Sequence, residues 1–326
     1  MKILIIGCGS IGTRHIKNLI SINAGEIIAC DTNSKQLQKT RDEFNIKTYD
    51  NVDEAFNEKY DLIFVCTPPS LHIQLAMKAI ENKSHVFIEK PISHTIDDVE
   101  KLLNLAKESN LLVFVGYNHR FFEGIKILKK LFDQGTIGKP LSVKAEFGQY
   151  LPYWHPDQDY RQSYTAQNKL GGGIILDASH EIDYVRWIIG EIREVKCQAD
   201  KISDLEVDVE DTADISVKFE GNVKGEIHMD FIQKDYTRNC KIIGEKGSIF
   251  LDYPKKTVEL KKENNEIITY PIESEVGNSY IQEIKHVIDC VKTKKKPLID
   301  GDSAKRVLEI ALAAKESART GEVKKL

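Results

Sequence analysis

The sequence contains few cysteines and no long apolar segment. Its six cysteines are widely spaced, and no two of them form a CxxC pair. This spacing argues against a zinc site and against the disulfide framework of a small secreted domain. No segment reaches the ~20 consecutive apolar residues that a membrane-spanning helix needs. We therefore predict reduced thiols, no bound metal and a cytoplasmic protein.

The chain also lacks an excess of either charge. It has 46 Lys and Arg residues against 50 Asp and Glu residues, which gives a formal net charge of −4. This balance gives no electrostatic reason to expect a nucleic acid or an anionic membrane as partner. The length of 326 residues is sufficient for two domains that each bury a core.

Residues 1–121 alternate short apolar runs with amphipathic stretches. The runs that predict strands are Ile3–Ile6, Ile27–Cys30, Leu62–Cys66, His85–Ile88 and Leu112–Val115. The last helix between them is predicted to begin after Thr95, a favourable N-cap residue. Strands that are apolar throughout and separated by helices indicate a parallel sheet covered on both faces. We predict a doubly wound α/β domain over residues 1–121.

Residues 122–326 have a different periodicity. Period-two strands are predicted at Ser142–Phe147, Asp214–Phe219, Lys224–Met229 and Thr257–Leu260, and helices at Leu176–Ile189, Tyr280–Thr293 and Ser303–Arg319. Alternation of apolar and polar residues indicates a sheet with one exposed face. We predict an α+β domain with an open, mainly antiparallel sheet. The apolar stripe of the last helix predicts that one of its faces is buried, and we predict that the two domains pack through this helix, with the active site in the cleft between them.

A dinucleotide fingerprint follows the first predicted strand. Its residues are Gly7, Cys8, Gly9, Ser10, Ile11 and Gly12, and they open the first helix. In this context the glycines allow a tight turn, close approach to a pyrophosphate and close helix–strand packing. Asp31 ends the second strand, where its carboxylate would accept hydrogen bonds from the ribose hydroxyls and repel a 2′-phosphate. We predict NAD rather than NADP as cofactor.

Three further motifs carry a family resemblance. They are Cys66–His72 (CTPPSLH), Glu89–Pro91 (EKP) and the Gly171–Asp183 segment, which contains three glycines followed by Asp177 and His180. With Gly116–Phe121 at the domain junction, the chain resembles the Gfo/Idh/MocA oxidoreductases over nearly its whole length.

The resemblance implies the positions of several site residues. The first domain is then a Rossmann fold, and the second binds substrate and assembles the protein as a homodimer or homotetramer through its sheet. The implied cofactor residues are Thr67, Pro68, His72, Glu89 and Lys90. The junction residues Asn118 and Arg120 are implied to contact substrate.

The chemistry requires a proton acceptor as well as a hydride acceptor. Lys90 is the first candidate, because a lysine acts as a base where burial or a neighbouring positive charge lowers its pKa. His180 is the second, as base on the substrate hydroxyl. Asp177 would orient His180 or Lys90, since residues three apart share a helix face. The family pattern is Asp-x-x-x-His, and this chain is one residue shorter, so we assign His180 from the trailing His-x-x-Asp that it forms with Asp183. If His180 is structural, Lys90 with Tyr164 is the alternative catalytic pair.

A cluster of aromatic and polar residues precedes the glycines. Its members are Trp154, His155, Tyr160, Arg161 and Tyr164. Rings that cover the apolar face of a sugar, with polar groups for its hydroxyls, fit a sugar-like substrate. Arg161 would hold a carboxylate or phosphate. An ordinary loop with packed aromatic residues is the alternative.

These observations predict an NAD-dependent dehydrogenase that acts on a secondary alcohol of a sugar, cyclitol or sugar nucleotide. Two alternatives remain open. One is a sensor that binds NAD without turnover, and the other is a redox-neutral enzyme that holds NAD tightly.

Overall fold

The computed structural model describes all residues from Met1 to Leu326. Ten α-helices are present, α1 Ser10–Ser21, α2 Ser34–Phe44, α3 Val52–Ala55, α4 His72–Glu81, α5 Val99–Glu108, α6 Glu123–Asp133, α7 Ile174–Asp177, α8 His180–Ile189, α9 Val276–Thr293 and α10 Gly301–Thr320. The strands are β1 Lys2–Ile6, β2 Glu26–Cys30, β3 Lys47–Tyr49, β4 Leu62–Val65, β5 His85–Ile88, β6 Val113–Val115, β7 Pro140–Gly148, β8 Ile192–Asp200, β9 Thr212–Phe219, β10 Lys224–Asp230, β11 Thr237–Gly244, β12 Gly247–Asp252, β13 Thr257–Lys262, β14 Ile267–Pro271 and β15 Lys324–Lys325. None of the helices is long and apolar enough to cross a membrane.

The chain divides into two compact units. Unit 1 comprises Met1–Asn118 and Gly277–Arg306, and unit 2 comprises His119–Val276 and Val307–Leu326. Compared with the sequence-based division at residue 121, the first segment ends three residues earlier, and the later segment that contains α9 belongs to the first unit. Its buried residues Ile284, Val287, Ile288 and Cys290 join the same hydrophobic cluster as β1 and β4. The division falls within α10, whose first turns belong to unit 1 and whose remainder belongs to unit 2.

Unit 1 is built on a six-stranded sheet in the order β3-β2-β1-β4-β5-β6, and every pair in it is parallel. All of β4 and nearly all of β1 are buried, as expected for strands covered on both faces. The strand order reverses between β1 and β4. In such folds ligands bind beyond the carboxyl ends of the strands at this position, and the predicted cofactor motifs all follow strands at that edge.

The predicted start of α5 is wrong. The helix begins at Val99, and its N-cap is Asp98, three residues later than the predicted N-cap at Thr95; Asp98 has a left-handed backbone with φ of 57°. Residues 96–98 form a turn, so no regular helix continues back to Thr95. The strand β3 was also not predicted, because its three residues are too short to give a periodic signal.

Unit 2 contains a nine-stranded sheet in the order β14-β13-β12-β11-β7-β10-β9-β8-β15. Its pairs are antiparallel except for β7 with β10, which confirms the predicted open, mainly antiparallel sheet. Along β9 each buried apolar residue alternates with an exposed polar one. On this polar face His228 lies 2.7 Å from Asp214 and 3.1 Å from Asp230.

The helix predicted at Leu176–Ile189 is interrupted. α7 ends at Asp177, Ala178 leaves the helical conformation with ψ of 23°, and α8 begins at His180. The argument that Asp177 and His180 share one helix face is therefore wrong, since no continuous helix carries both residues. Each of them has to be placed by its own contacts.

Candidate functional site

The glycine loop of unit 1 has the backbone that a dinucleotide requires. Gly7 has φ of +96°, and a Cβ atom on Gly12 would lie 1.8 Å from the Gly7 carbonyl oxygen. Only glycine allows this contact between the β1 loop and α1. A Cβ atom on Gly9 would meet no atom within 4 Å, and Gly9 and Ser10 are exposed. The open surface at Gly9 beside the uncapped N-terminus of α1, which Ile11 continues, fits a pyrophosphate.

Asp31 is fixed to this loop by its carboxylate. The Cys8 N–H donates to Oδ2 at 2.6 Å, and the Asn33 N–H donates to Oδ1 at 2.7 Å. Each carboxylate oxygen keeps a second lone pair for another donor, and the residue is partly exposed. The loop, the helix N-terminus and this carboxylate together fit the pyrophosphate and ribose of NAD.

The cysteines near the loop do not provide a nucleophile. Burial, with the neighbouring Asp31 charge, raises the pKa of the Cys8 thiol to about 12, and the same causes raise the pKa of Cys30 to about 12. Burial also raises the pKa of Cys66 well above its ordinary value. These thiols stay protonated at neutral pH, so no thiolate chemistry is available here.

His72 connects two of the predicted cofactor loops. Its Nε2 lies 2.8 Å from the Thr67 carbonyl oxygen, and its Nδ1 lies 2.8 Å from the Pro91 carbonyl oxygen. Burial lowers the pKa of His72, and its contacts with the two carbonyls oppose this shift. The ring is fully buried, whereas Thr67 and Pro68 are partly exposed. His72 thus joins the Thr67–Pro68 turn to the loop after β5 and acts on the site through these loops.

Glu89 and Lys90 follow β5 directly, and Glu89 is held inside the unit. His15 Nε2–H donates to Glu89 Oε1 at 2.6 Å, and the Lys90 backbone N–H donates to Glu89 Oε2 at 3.1 Å. Glu89 is 7% exposed, and a Cβ atom on Gly116 would lie 3.0 Å from its Oε2. This carboxylate therefore fixes the Lys90 backbone. Asn118 is also buried in unit 1, where its Nδ2 donates to Ser279 Oγ at 2.8 Å.

In unit 2 Asp177 is bound by two hydroxyl groups. Tyr164 Oη donates to its Oδ1 at 2.9 Å, and Thr165 Oγ1 donates to its Oδ2 at 2.6 Å. Asp177 is 4% exposed. The carboxylate therefore joins the end of the aromatic cluster to the end of α7.

His180 is buried at the start of α8, and its ring stacks on another histidine. The ring centres of His119 and His180 are 4.2 Å apart with an interplanar angle of 22°. Arg238 of β11 also contacts His119, with Nη1 3.1 Å from His119 Nε2. Arg238 is itself paired with Glu181, whose Oε1 is 2.8 Å from Arg238 Nε.

The two arginines predicted to contact substrate are both paired with carboxylates. Arg120 is buried and makes a bidentate contact with Asp183 through Nε at 2.9 Å and Nη2 at 2.6 Å. Arg161 is exposed and contacts Asp159 at 2.8 Å and Glu206 at 2.7 Å. In the same region Trp154 Nε1 donates to the Gln149 carbonyl, Tyr160 Oη accepts from the Glu206 N–H, and His155 is exposed.

Sequence analysis missed three residues that hold the proposed proton-transfer groups. They are His15, His119 and Arg238. His15 lies one turn after the glycine motif on the buried face of α1, and that position was a usable signal. Arg238 lies on a strand more than a hundred residues from His119, so no local pattern joins them.

Comparison with known proteins agrees with this architecture. A model of an oxidoreductase family with an NAD-binding Rossmann fold matches residues 1–117, and a GFO/IDH/MocA C-terminal domain matches residues 125–250. The chain is 31% identical to a myo-inositol 2-dehydrogenase of Thermotoga maritima over 331 residues, which span 97% of this chain and 96% of that protein. It is 25% identical to a scyllo-inositol 2-dehydrogenase (NAD(+)) of Bacillus subtilis, with 98% and 95% of the two chains covered.

A solved structure gives the same fold. An oxidoreductase from Agrobacterium radiobacter in complex with NAD+, L-tartaric acid and magnesium has a TM-score of 0.90 at 20% identity, with 100% of this chain and 98% of that chain covered. The predicted family, fold class and NAD cofactor are confirmed. The chain belongs to the GFO/IDH/MocA family of oxidoreductases, whose N-terminal domain is an NAD-binding Rossmann fold.

Proposed function

We propose that this protein is an NAD-dependent dehydrogenase that oxidises a secondary alcohol of a cyclitol or sugar, or reduces the corresponding ketone, with Lys90 and His180 in proton transfer. The position of Lys90 carries the proposal. It directly follows β5, at the sheet edge that also carries the glycine loop and Asp31, and Glu89 fixes its backbone. The two inositol dehydrogenases to which the chain is similar over its whole length support a cyclitol.

The reaction divides between the cofactor and the side chains. Oxidation removes a hydride from the carbinol carbon and a proton from its hydroxyl, and a C=O bond remains. NAD supplies the hydride acceptor when it is bound. Lys90 and His180 are the groups to which we assign the proton, and a positioned acid or base of this kind is worth about 10²–10⁴ in rate. Asp177 is proposed to orient the segment that carries Tyr164.

The charge of the paired arginines favours a neutral substrate. Arg161 already contacts two carboxylates, and Arg120 forms a buried bidentate pair with Asp183. A carboxylate or phosphate on the substrate would have to displace these partners. We therefore propose a neutral polyol as the substrate, in preference to a sugar nucleotide or an acidic sugar.

A substrate panel tests the proposal. The purified protein is incubated with NAD and with myo-inositol, scyllo-inositol, glucose or a nucleotide sugar, and the formation of NADH is followed by absorbance. We expect reduction of NAD with a cyclitol and a large loss of rate in Lys90→Met. NAD that exchanges freely but is never reduced would favour a sensor. NAD that co-purifies and does not exchange would favour a redox-neutral enzyme.

We also propose a homodimer or homotetramer that forms through the polar face of the unit 2 sheet. That face carries neighbouring charges of both signs, such as Lys144 with Glu226 at 2.7 Å. Light scattering gives the oligomeric state. We expect charge reversal at Lys144 to shift it toward monomer, and an unchanged mass would argue against this face.

A further inference from the structure

Two stacked histidines form an unusual arrangement beside a proposed catalytic group. The His119 and His180 ring centres are 4.2 Å apart, and the two residues are 4% and 7% exposed. Two imidazoles this close cannot both be protonated without strong repulsion. A histidine pair of this kind titrates in two coupled steps unless one member is kept neutral. Which ring takes the proton therefore depends on their surroundings.

Arg238 contacts one ring nitrogen of His119. Its Nη1 lies 3.1 Å from His119 Nε2. A guanidinium has only donors and does not lose its proton in proteins. His119 Nε2 must then accept this hydrogen bond, which makes His119 a neutral ring with its proton on Nδ1. A proton on Nε2 would face the N–H of a fixed cation.

Arg238 is held in place as a cation. Burial has the largest single effect on the pKa of Arg238 and acts to lower it, but the Glu181 charge and the neighbouring tyrosines together raise that pKa above its ordinary value. The Glu181 carboxylate is 2.8 Å from Nε, and Arg238 Cζ lies 4.3 Å from the Phe147 ring centre.

Three phenols also act on the pKa of Arg238. Burial raises the pKa of Tyr184 and of Tyr236, so these hydroxyls stay neutral at the pH of the reaction. The Tyr253 ring meets the Tyr236 ring edge to face, with ring centres 5.6 Å apart, and Tyr253 also acts on the pKa of Arg238. Two ion pairs lie close in the chain to the two histidines: Arg238 with Glu181, which follows His180, and the buried Arg120, which follows His119, with Asp183.

We propose that Arg238 is a positioning residue that keeps His119 neutral, so that of the two stacked rings only His180 takes up and releases a reaction proton. The inference rests on the proposed catalytic role of His180. In this arrangement the imidazolium of His180 stacks on a neutral ring, where it is stabilised by the ring face instead of being repelled by a second charge. His119 thereby supports the protonated form of His180 without competing for the proton.

Nitrogen NMR of the intact protein labelled at histidine tests the inference without substrate. In the native protein we expect His119 to show a protonated Nδ1 and an unprotonated Nε2, and to remain neutral while His180 titrates. Arg238→Met removes the hydrogen bond from Arg238 to His119, and the two histidines should then titrate in two steps separated by more than about one pH unit. Arg238→Lys restores a donor and a charge, and we expect it to return His119 to the neutral state.

A double variant separates the effect of the Arg238–His119 hydrogen bond from the effect of a changed net charge. Arg238→Met with Glu181→Gln removes one charge of each sign and avoids a buried unpaired carboxylate, so it also serves if the single variant does not fold. We expect His119 to titrate in this variant too. A native His119 with its proton on Nε2, or one that becomes charged with Arg238 present, would overturn the proposal without any variant.

Kinetics distinguish this inference from the proposed function. If His180→Asn keeps normal turnover while the NMR result holds, the proposed catalytic role of His180 is wrong, and the conclusion that Arg238 keeps His119 neutral stands. A second outcome is that His180→Asn loses activity but the acid limb of the pH profile of kcat/KM is the same in the native protein and in the double variant. In that case the control of His119 protonation by Arg238 has no role in the reaction.

Discussion

Replacement of Glu89 by alanine tests how the proposed catalytic lysine is positioned. The carboxylate accepts hydrogen bonds from His15 Nε2 at 2.6 Å and from the Lys90 N–H at 3.1 Å. Alanine removes both acceptors and leaves a space against Gly116. We expect the free energy of unfolding to fall by about 2 kcal/mol, because a buried donor without an acceptor costs about 1–3 kcal/mol and the Lys90 N–H is only partly buried.

The same substitution should reduce activity beyond its effect on stability. With its backbone N–H released, Lys90 is free to move, and a misplacement of about 1 Å at a reacting group can cost about 100-fold in rate. Glu89→Gln keeps one oxygen acceptor and should show a smaller loss in both measurements. We expect kcat to fall in the order native, glutamine variant, alanine variant.

The assay combines denaturant unfolding with steady-state kinetics, with NAD varied at saturating substrate. Glu81→Ala is the matched control, since it makes the same change at an exposed position of unit 1. The resemblance to the family implied that Glu89 approaches the cofactor ribose. If Glu89→Ala raises the KM for NAD roughly tenfold or more, about 1.4 kcal/mol of binding, with kcat and stability unchanged, the positioning argument is refuted and the ribose contact is favoured.

Three further predictions concern the cofactor, the proton and the sheet. Asp31→Ser should weaken NAD and improve NADP relative to it, as measured by the two dissociation constants, and tighter NADP binding by the native protein would contradict the assignment. Lys90→Ala and His180→Ala should each lower kcat by about 10²–10⁴-fold while NAD still binds. Asp177→Asn should lower kcat less, because its carboxylate already binds two hydroxyls. Equal losses of kcat in all three variants would indicate that Asp177 contacts the reacting groups. Hydrogen bonds to its two neighbouring aspartates raise the pKa of His228 to about 9, so its stabilising effect is complete below the unfolded pKa of about 6.5 and is lost as the pH rises through 9. Unfolding measured across this range should show the loss in the native protein and not in His228→Asn.

Much of unit 1 could be predicted because its signals are local. Strands such as Ile3–Ile6 are apolar throughout, and the glycine motif follows directly from the first of them. The close contact of Gly12 with Gly7 explains why the motif needs those residues. The contribution of α9 could not be predicted, because an apolar helix face does not reveal which of two cores it joins.

The partners of charged residues could not be predicted from the sequence either. Glu89 was assigned to the cofactor by resemblance, and nothing local in the sequence predicted that its carboxylate also accepts a hydrogen bond from His15, 74 residues away. Asp177 and His180 were placed on one helix face, and a break at Ala178 separates them into two helices. Helical periodicity predicts which residues share one face of a continuous helix. A two-residue break between helices changes which residues share a face, and this break has no clear sequence signal.

The partners of the two arginines also affect which substrate is inferred. Arginine in an aromatic loop fits a carboxylate or phosphate by composition, yet Arg161 contacts Glu206, 45 residues along the chain, and Arg120 contacts Asp183, 63 residues along. A charge that is already neutralised attracts a substrate anion much less, because the anion must compete with carboxylates held in place by the fold. An anionic substrate would therefore require these pairs to break, whereas the hydroxyls of a polyol need only donors and acceptors. Selectivity for myo-inositol over an acidic analogue of the same ring would support this argument, and a preference for the acid that is lost in Arg161→Gln would contradict it.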